Sequence, residues 1–240
     1  MNGLSLFAAT AVLALADLGT TQSFVPRTQY EDLVERPKPM PEIPAHLRSI
    51  LSASSPDQLL VRDLHGRDIP VDIEWYEPED FVLLRDGRYL GFALQGYEGF
   101  GYLLIDRAAN GEAAVIATGE APLFSPDGRF FVALQQSDAG WGNLEGVGLW
   151  EVRADMTFRR FYNGALPYAY DWRLDGWVRP DCVALSAVLG DWRPPDGEDW
   201  DVAIRTARRV QYNLLVESEG IAMEMTFDAP PCVSNAEDEP

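Results

Sequence analysis

The segment Asp191–Asp201 (DWRPPDGEDWD) gathers the densest set of groups able to do chemistry in this chain. Asp196, Glu198, Asp199 and Asp201 carry hard carboxylate oxygens, the ligand type that calcium takes. Their spacing departs from the EF-hand loop, which places ligands at alternating positions and ends in glutamate. Trp192 and Trp200 flank the acids, and acids beside tryptophan suit protein interfaces and sugar sites. The segment therefore reads as a docking loop built on Asp196, Glu198, Asp199, Trp200 and Asp201. Calcium binding is the weaker alternative, and a solvated acidic loop is the simplest one.

Other catalytic kits are incomplete. The two histidines are His46 and His65, the latter in the turn Asp63-Leu64-His65-Gly66-Arg67. A Ser-His-Asp or Cys-His site would have to recruit one of them. Neither a G-x-S-x-G elbow nor an H-E-x-x-H pair occurs, so hydrolase and metalloprotease signatures are missing. Two histidines in these places do not make a histidine-rich metal site. Gly140, Gly142, Gly146 and Gly148 lack the spacing and the following helix that a phosphate-cradling loop needs. The chain holds 38 acidic residues, so some pair could meet at glycosidase spacing, but that abundance gives the signal no specificity. The segment Gln135–Asn143 carries Trp141 among glycines and reads as a surface hairpin loop and a second candidate contact. No motif calls for a cofactor.

Cys182 and Cys232 lie too far apart in sequence for a CxxC redox motif. In an oxidising compartment they are expected to pair and tie the C-terminal segment to a core strand. The closed loop would stabilise the fold by about 4 kcal/mol on the loop-entropy account.

These groups must be positioned by strands. Val71, Ile73 and Trp75 alternate with acids, Val210, Tyr212, Leu214 and Val216 alternate mainly with polar residues, and Met223, Met225 and Phe227 alternate with Glu224 and Thr226. Period two puts one face in a core and the other in water. From Val71 onward no helical period is sustained; before it, His46–Leu51 suits one or two helical turns. Asp86-Gly87, Asn110-Gly111, Asp127-Gly128 and Asp175-Gly176 each separate apolar runs and predict hairpins. The first, third and fourth pairs recur after 41 and then 48 residues, a period that suits four-stranded propeller blades.

Phe124-Ser125-Pro126-Asp127-Gly128-Arg129, followed by the apolar run Phe130–Leu134, resembles the FSPDG(K/R) signature of periplasmic and peptidase-associated β-propellers, such as the propeller of the Tol-Pal envelope system. In that family the motif is a strand-turn-strand inside a blade, with a structural and not a catalytic role. The resemblance implies an architecture and no activity. The expected fold is all-β and antiparallel: a propeller-like array of about four blades, complete or incomplete, or a β-sandwich.

The ends of the chain read differently. Gly3–Ala16 is apolar, short for a membrane span, and closes on Ala14-Leu15-Ala16, a small-x-small cleavage signature. Residues 1–16 are therefore expected to be a secretory signal peptide, although no Lys or Arg precedes the apolar run. Residues 17–45 hold five prolines and read as a tether. Residues 46–232 are expected to form the all-β, propeller-like domain, and 233–240 a disordered acidic tail. The net charge of −19 repels phosphate backbones and anionic headgroups, and it attracts basic partners. The expectation is an exported, periplasmic or secreted binding protein of the bacterial envelope that contacts another protein, basic in character. A carboxylate-based glycan hydrolase and a ligand-free structural component are the alternatives.

Overall fold

The computed structural model describes residues 38–96, 99–136, 142–164, 166–216, 221–226 and 232. The expected signal peptide, most of the tether, Trp141 and the acidic tail lie outside them. After a 3-10 turn at Ala45–Leu47, strands β1 (Leu51–Ser55), β2 (Gln58–Arg62) and β3 (Asp68–Asp72) form a three-stranded sheet. Three four-stranded sheets follow. The second holds β4 (Glu77–Leu84), β5 (Tyr89–Gln95), β6 (Phe100–Asp106) and β7 (Val115–Ala117). The third holds β8 (Leu123–Phe124), β9 (Phe130–Gln135), β10 (Gly146–Val152) and β11 (Thr157–Asn163). The fourth holds β12 (Ala169–Arg179), β13 (Cys182–Leu189), β14 (Arg209–Val216) and β15 (Ile221–Thr226). Within each sheet, strands consecutive in sequence pair antiparallel. The chain is all-β, with α1 (Trp200–Thr206) inserted between β13 and β14.

Three apolar cores lie between consecutive sheets. Leu59, Val61, Leu90, Phe92 and Ile105 join the first sheet to the second. Tyr89, Leu104, Phe131, Ala133 and Trp150 join the second to the third. Val132, Leu134, Leu149, Leu185 and Tyr212 join the third to the fourth. The split is alternate: in β9, Phe131 and Ala133 face one core while Val132 and Leu134 face the other. That is the period-two geometry of a strand, applied to strands covered on both faces. Their sequences are therefore continuous apolar runs. Among the described residues, no such core joins the first sheet to the fourth.

Two polar devices add to the stacking. Asp106, with no exposed surface, accepts from Arg88 Nε at 2.9 Å and Nη2 at 2.8 Å, and from Thr157 Oγ1 at 2.7 Å. The indole N–H of Trp177 in β12 donates to the Leu123 carbonyl in β8 at 2.8 Å.

The Ser-Pro-Asp-Gly-Arg turn connects β8 to β9. Ser125 Oγ donates to Asp127 Oδ1 at 2.7 Å and accepts from the Phe130 N–H at 3.0 Å, while the Arg129 N–H donates to Asp127 Oδ1 at 3.1 Å. Gly128 sits at φ +73°, where a side chain would be strained. The hydrogen bonds from Arg129 and Ser125 outweigh desolvation and lower the Asp127 pKa to about 2.

Several expectations need correction. Strands begin at Leu51, ahead of the alternation at Val71. The run Val71–Trp75 is not one strand: β3 stops at Asp72, and the Tyr76 N–H donates to the Ile73 carbonyl at 2.9 Å, closing a turn that leaves Trp75 83% exposed. Asp86-Gly87 and Asp127-Gly128 do sit between paired strands, whereas Asp175-Gly176 lies inside β12. There the register passes from Leu174 opposite Leu185 to Gly176 opposite Ala184, so Asp175 is an extra residue in a bulge. A bulge and a hairpin both accept Gly at positive φ (here +139°), and the dipeptide alone does not separate them. Asn110-Gly111 joins β6 to β7 through a 3-10 turn at Gly111–Ala114, a longer connection than a two-residue hairpin.

Cys182 and Cys232 form the expected disulfide, with their Cα atoms 6.0 Å apart. It fastens the chain beyond β15 to the first residue of β13, a strand with sheet neighbours on both sides. Among the described residues, no helix is long and apolar enough to cross a membrane.

Candidate functional site

The acidic segment leads into α1 and is largely spent on building it. Asp199 is the N-cap, its Oδ1 accepting from the Asp201 N–H at 2.9 Å. That contact satisfies an otherwise unpaired helix donor. Asp201 lies in the first turn, where a negative charge complements the positive end of the helix. The Glu198 N–H donates to the Pro195 carbonyl at 3.0 Å, closing a turn around exposed Asp196 and Gly197. Among the described residues, no group of three or more His, Cys, Asp or Glu is placed to hold a metal.

Trp200 is turned toward sheet four. Its ring lies 5.2 Å from that of Trp192 and 5.1 Å from that of Tyr170, edge-on in both cases. Tyr170 in turn meets Tyr168 with ring centroids 5.5 Å apart and hydroxyls bonded at 2.6 Å. Tyr168 is 74% exposed, yet its ring is seated on Gly190. A Cβ added at Gly190 would stand 2.1 Å from Tyr168 Cδ1. Four aromatic rings thus form a continuous row from α1 to the start of β12.

Tyr168 and Tyr170 also line a cleft of about 440 Å³, with Glu120, Leu134, Gln136, Ala169, Asp171 and Trp172 as its other walls. The cleft lies where sheet four meets the end of β9 and the loop after β7. Glu120 is held there by its backbone. Its N–H donates to the Thr118 carbonyl at 2.8 Å, and its own carbonyl accepts from Thr118 Oγ1 at 2.9 Å. The adjacent Gly119 donates to Asn143 Oδ1 at 2.8 Å and accepts from Gln135 Nε2 at 3.3 Å. Gln135 is fully buried. Although Glu120 as a residue keeps exposed surface, the burial of its carboxyl raises that group's pKa. Its carboxylate makes no hydrogen bond or ion pair with any described residue.

Asp171 is the opposite case. Its carboxylate accepts from Arg209 Nη1 at 2.6 Å and also from Arg173, while its carbonyl accepts from Arg209 Nη2. It sits at φ +48° in a bulge of β12, a conformation uncommon outside glycine. Trp172 is 7% exposed and packs on Tyr212 at 4.6 Å. Its indole N–H is shut away from solvent and meets no acceptor, which is unusual for a buried donor.

Of the residues singled out from sequence, Trp200 joins the aromatic row. Asp199 and Asp201 shape α1, Asp196 and Glu198 remain exposed on the turn before it, and Trp141 is outside the described residues. Tyr168, Tyr170, Trp172 and Glu120 were missed. The alternation of rings in Tyr168-Ala169-Tyr170-Asp171-Trp172 is a signal that could have found three of them. Glu120 carries none. Neither histidine lines the cleft: both are exposed, and the turn around His65 is organised by buried Asp63. Asp63 Oδ1 accepts from the His65 and Arg67 N–H groups, each at 2.8 Å. Desolvation of the Asp63 carboxyl is outweighed by these bonds and the Arg67 side chain, leaving its pKa lowered.

No protein-family model matches the chain, and no curated protein matches it.

Proposed function

We propose that this chain is an exported, non-enzymatic binding protein of the bacterial envelope, and that a partner protein occupies the cleft of sheet four. The observation that carries this reading is the 440 Å³ cleft walled in part by Tyr168 and Tyr170, from which the aromatic row continues to Trp200 and Trp192. Exposed aromatic rings fixed against a rigid sheet give large contact area at little cost in side-chain freedom. The four consecutive antiparallel sheets then serve as a propeller-like scaffold. The disulfide suits an oxidising compartment, in keeping with the periplasm or the exterior.

The chemistry of the cleft favours binding over hydrolysis. A paired-carboxylate mechanism needs two acids free to work on substrate. Asp171 is engaged by two arginines, so Glu120 stands alone. Histidine-based acid–base chemistry has no group in the cleft to use.

The test places a photo-crosslinking residue at the rim, Tyr168→p-benzoylphenylalanine, in cells of the source organism. A discrete adduct with one envelope protein is expected, reduced strongly by Trp200→Ala. The export part of the reading predicts a mature chain that begins at Asp17 by mass spectrometry. Absence of any adduct, or cleavage of peptidoglycan fragments that Glu120→Gln abolishes, would replace binding by the structural or the hydrolase reading respectively.

A further inference from the structure

Two residues of the cleft wall carry polar groups of opposite kind without a protein partner. Glu120 lines the cleft with no cation paired to its carboxylate among the described residues, while Trp172, another wall residue, has a buried N–H without an acceptor. Burying a donor without a partner costs free energy, which is recovered if a ligand brings the acceptor, and an unpaired carboxylate at the wall of a cleft favours a ligand that brings a cation. The carboxylate calls for a cation, and the indole calls for a carbonyl or another acceptor. Tyr168 and Tyr170 supply electron-rich ring faces beside them, which attract a cation passing over the ring. The chain as a whole carries a net charge of −19, so a basic segment is drawn to it from a distance.

Resting on the binding-protein reading above, we infer that the cleft captures a lysine or arginine of the partner's chain. The cationic side chain is received by Glu120 and the Tyr168–Tyr170 rings, and a neighbouring backbone carbonyl accepts from Trp172 Nε1–H once that ring turns to open the wall. One residue of a basic peptide contains both required groups, a cation and an amide carbonyl, within a few bonds of each other. A neutral sugar supplies acceptors for the indole but leaves the carboxylate without a cation.

The inference is tested by titrating the 15N-labelled protein with the capped peptides acetyl-Gly-Lys-Gly-amide and acetyl-Gly-Arg-Gly-amide. The norleucine analogue and the N-acetylglucosamine trimer serve as neutral probes. The Trp172 indole signal is assigned by its disappearance in Trp172→Phe. Saturable downfield movement of that signal is expected with the two cationic peptides at millimolar concentration, weakened about tenfold by Glu120→Gln and weakened further by added salt. Equal response to the norleucine peptide, or an unchanged affinity in Glu120→Gln, overturns cation capture. Response to the sugar alone overturns it too and reassigns the cleft to glycans. If no probe moves the signal, cation capture fails while the crosslinking experiment still decides whether a protein partner sits at the rim.

Discussion

The hydroxyl of Tyr89 lies 2.7 Å from Thr157 Oγ1, although 68 residues separate them in the chain. Tyr89 opens β5 in the second sheet and Thr157 opens β11 in the third. Thr157 donates its own proton to buried Asp106, so its oxygen accepts from the tyrosine. The relay Tyr89–Thr157–Asp106–Arg88 places one buried charge pair and two hydroxyls at the seam between two sheets. It fixes their alignment as apolar packing alone does not.

Thr157→Val keeps the shape and removes both bonds. It leaves the Tyr89 hydroxyl and one Asp106 oxygen without this partner, and a loss of about 1–3 kcal/mol in urea unfolding is expected. Asp106→Ala leaves Arg88 without its buried counter-ion and should cost about 3–5 kcal/mol. A loss under half a kcal/mol for both variants would mean that the relay contributes nothing to the seam.

Alkaline titration reports on the same relay. Desolvation raises the Tyr89 pKa to about 12 from its ordinary 10.0, offset in part by the bond to Thr157. The folded state therefore keeps the proton where the unfolded chain releases it. Stability contributed by this group is complete below pH 10 and is lost as pH climbs from 10 toward 12, by on the order of 2 kcal/mol. Tyr89→Phe should flatten that part of the pH–stability curve. An unchanged slope would locate the alkaline loss in other buried tyrosines, such as Tyr102 and Tyr212.

The disulfide should be worth about 4 kcal/mol, because it closes a loop spanning 50 residues in the unfolded chain. The double variant Cys182→Ser with Cys232→Ser, or reduction of the native protein, should lower the urea midpoint and steepen the slope, because the unfolded chain without the cross-link exposes more surface. The far-ultraviolet circular dichroism should stay that of a sheet protein.

At the turn between β8 and β9, Ser125→Ala removes the acceptor for the Phe130 N–H and a donor to Asp127. Ser125 is 1% exposed, so water does not replace what is lost, and about 1–3 kcal/mol of stability should disappear. Asp127 adds a dependence on acid. Its lowered pKa means that its contribution is present above pH 3.8 and fades as pH falls toward 2. Asp127→Asn should remove that acid-sensitive component from the unfolding curve.

Gly190→Ala separates site from scaffold. Its Cβ would collide with the Tyr168 ring, and that ring can swing into solvent because Tyr168 is already mostly exposed. Stability should change by less than about 1 kcal/mol, while crosslinking at the cleft and the response of Trp172 to lysine peptides should fall severalfold. Retained binding would show that the seat of Tyr168 on Gly190 does not shape the site.

Local chemistry was legible wherever a residue acts on its near neighbours. The period-two runs of β14 and β15, the Asp86-Gly87 and Asp127-Gly128 connections and the all-β character follow from short-range preference. The cysteine pair followed from its number and expected compartment. Local reading failed where the same preference serves two structures: Asp175-Gly176 bends a strand instead of ending one, and Asp199 caps a helix in a stretch read as a loop. In β5, β6 and β9 two buried faces erase the alternation, so these strands were marked only by apolar runs beside the turn dipeptides.

The cleft belonged to the tertiary structure. Glu120, Leu134 and Tyr170 come from three separate elements, and only the stacking of sheet four on sheet three brings them to one wall. Sequence determined which side chains were available, their net charge, and the strands and turns that short-range forces select. Burial decided the rest, because desolvating Glu120 and sealing the Trp172 N–H depend on atoms supplied by distant parts of the chain.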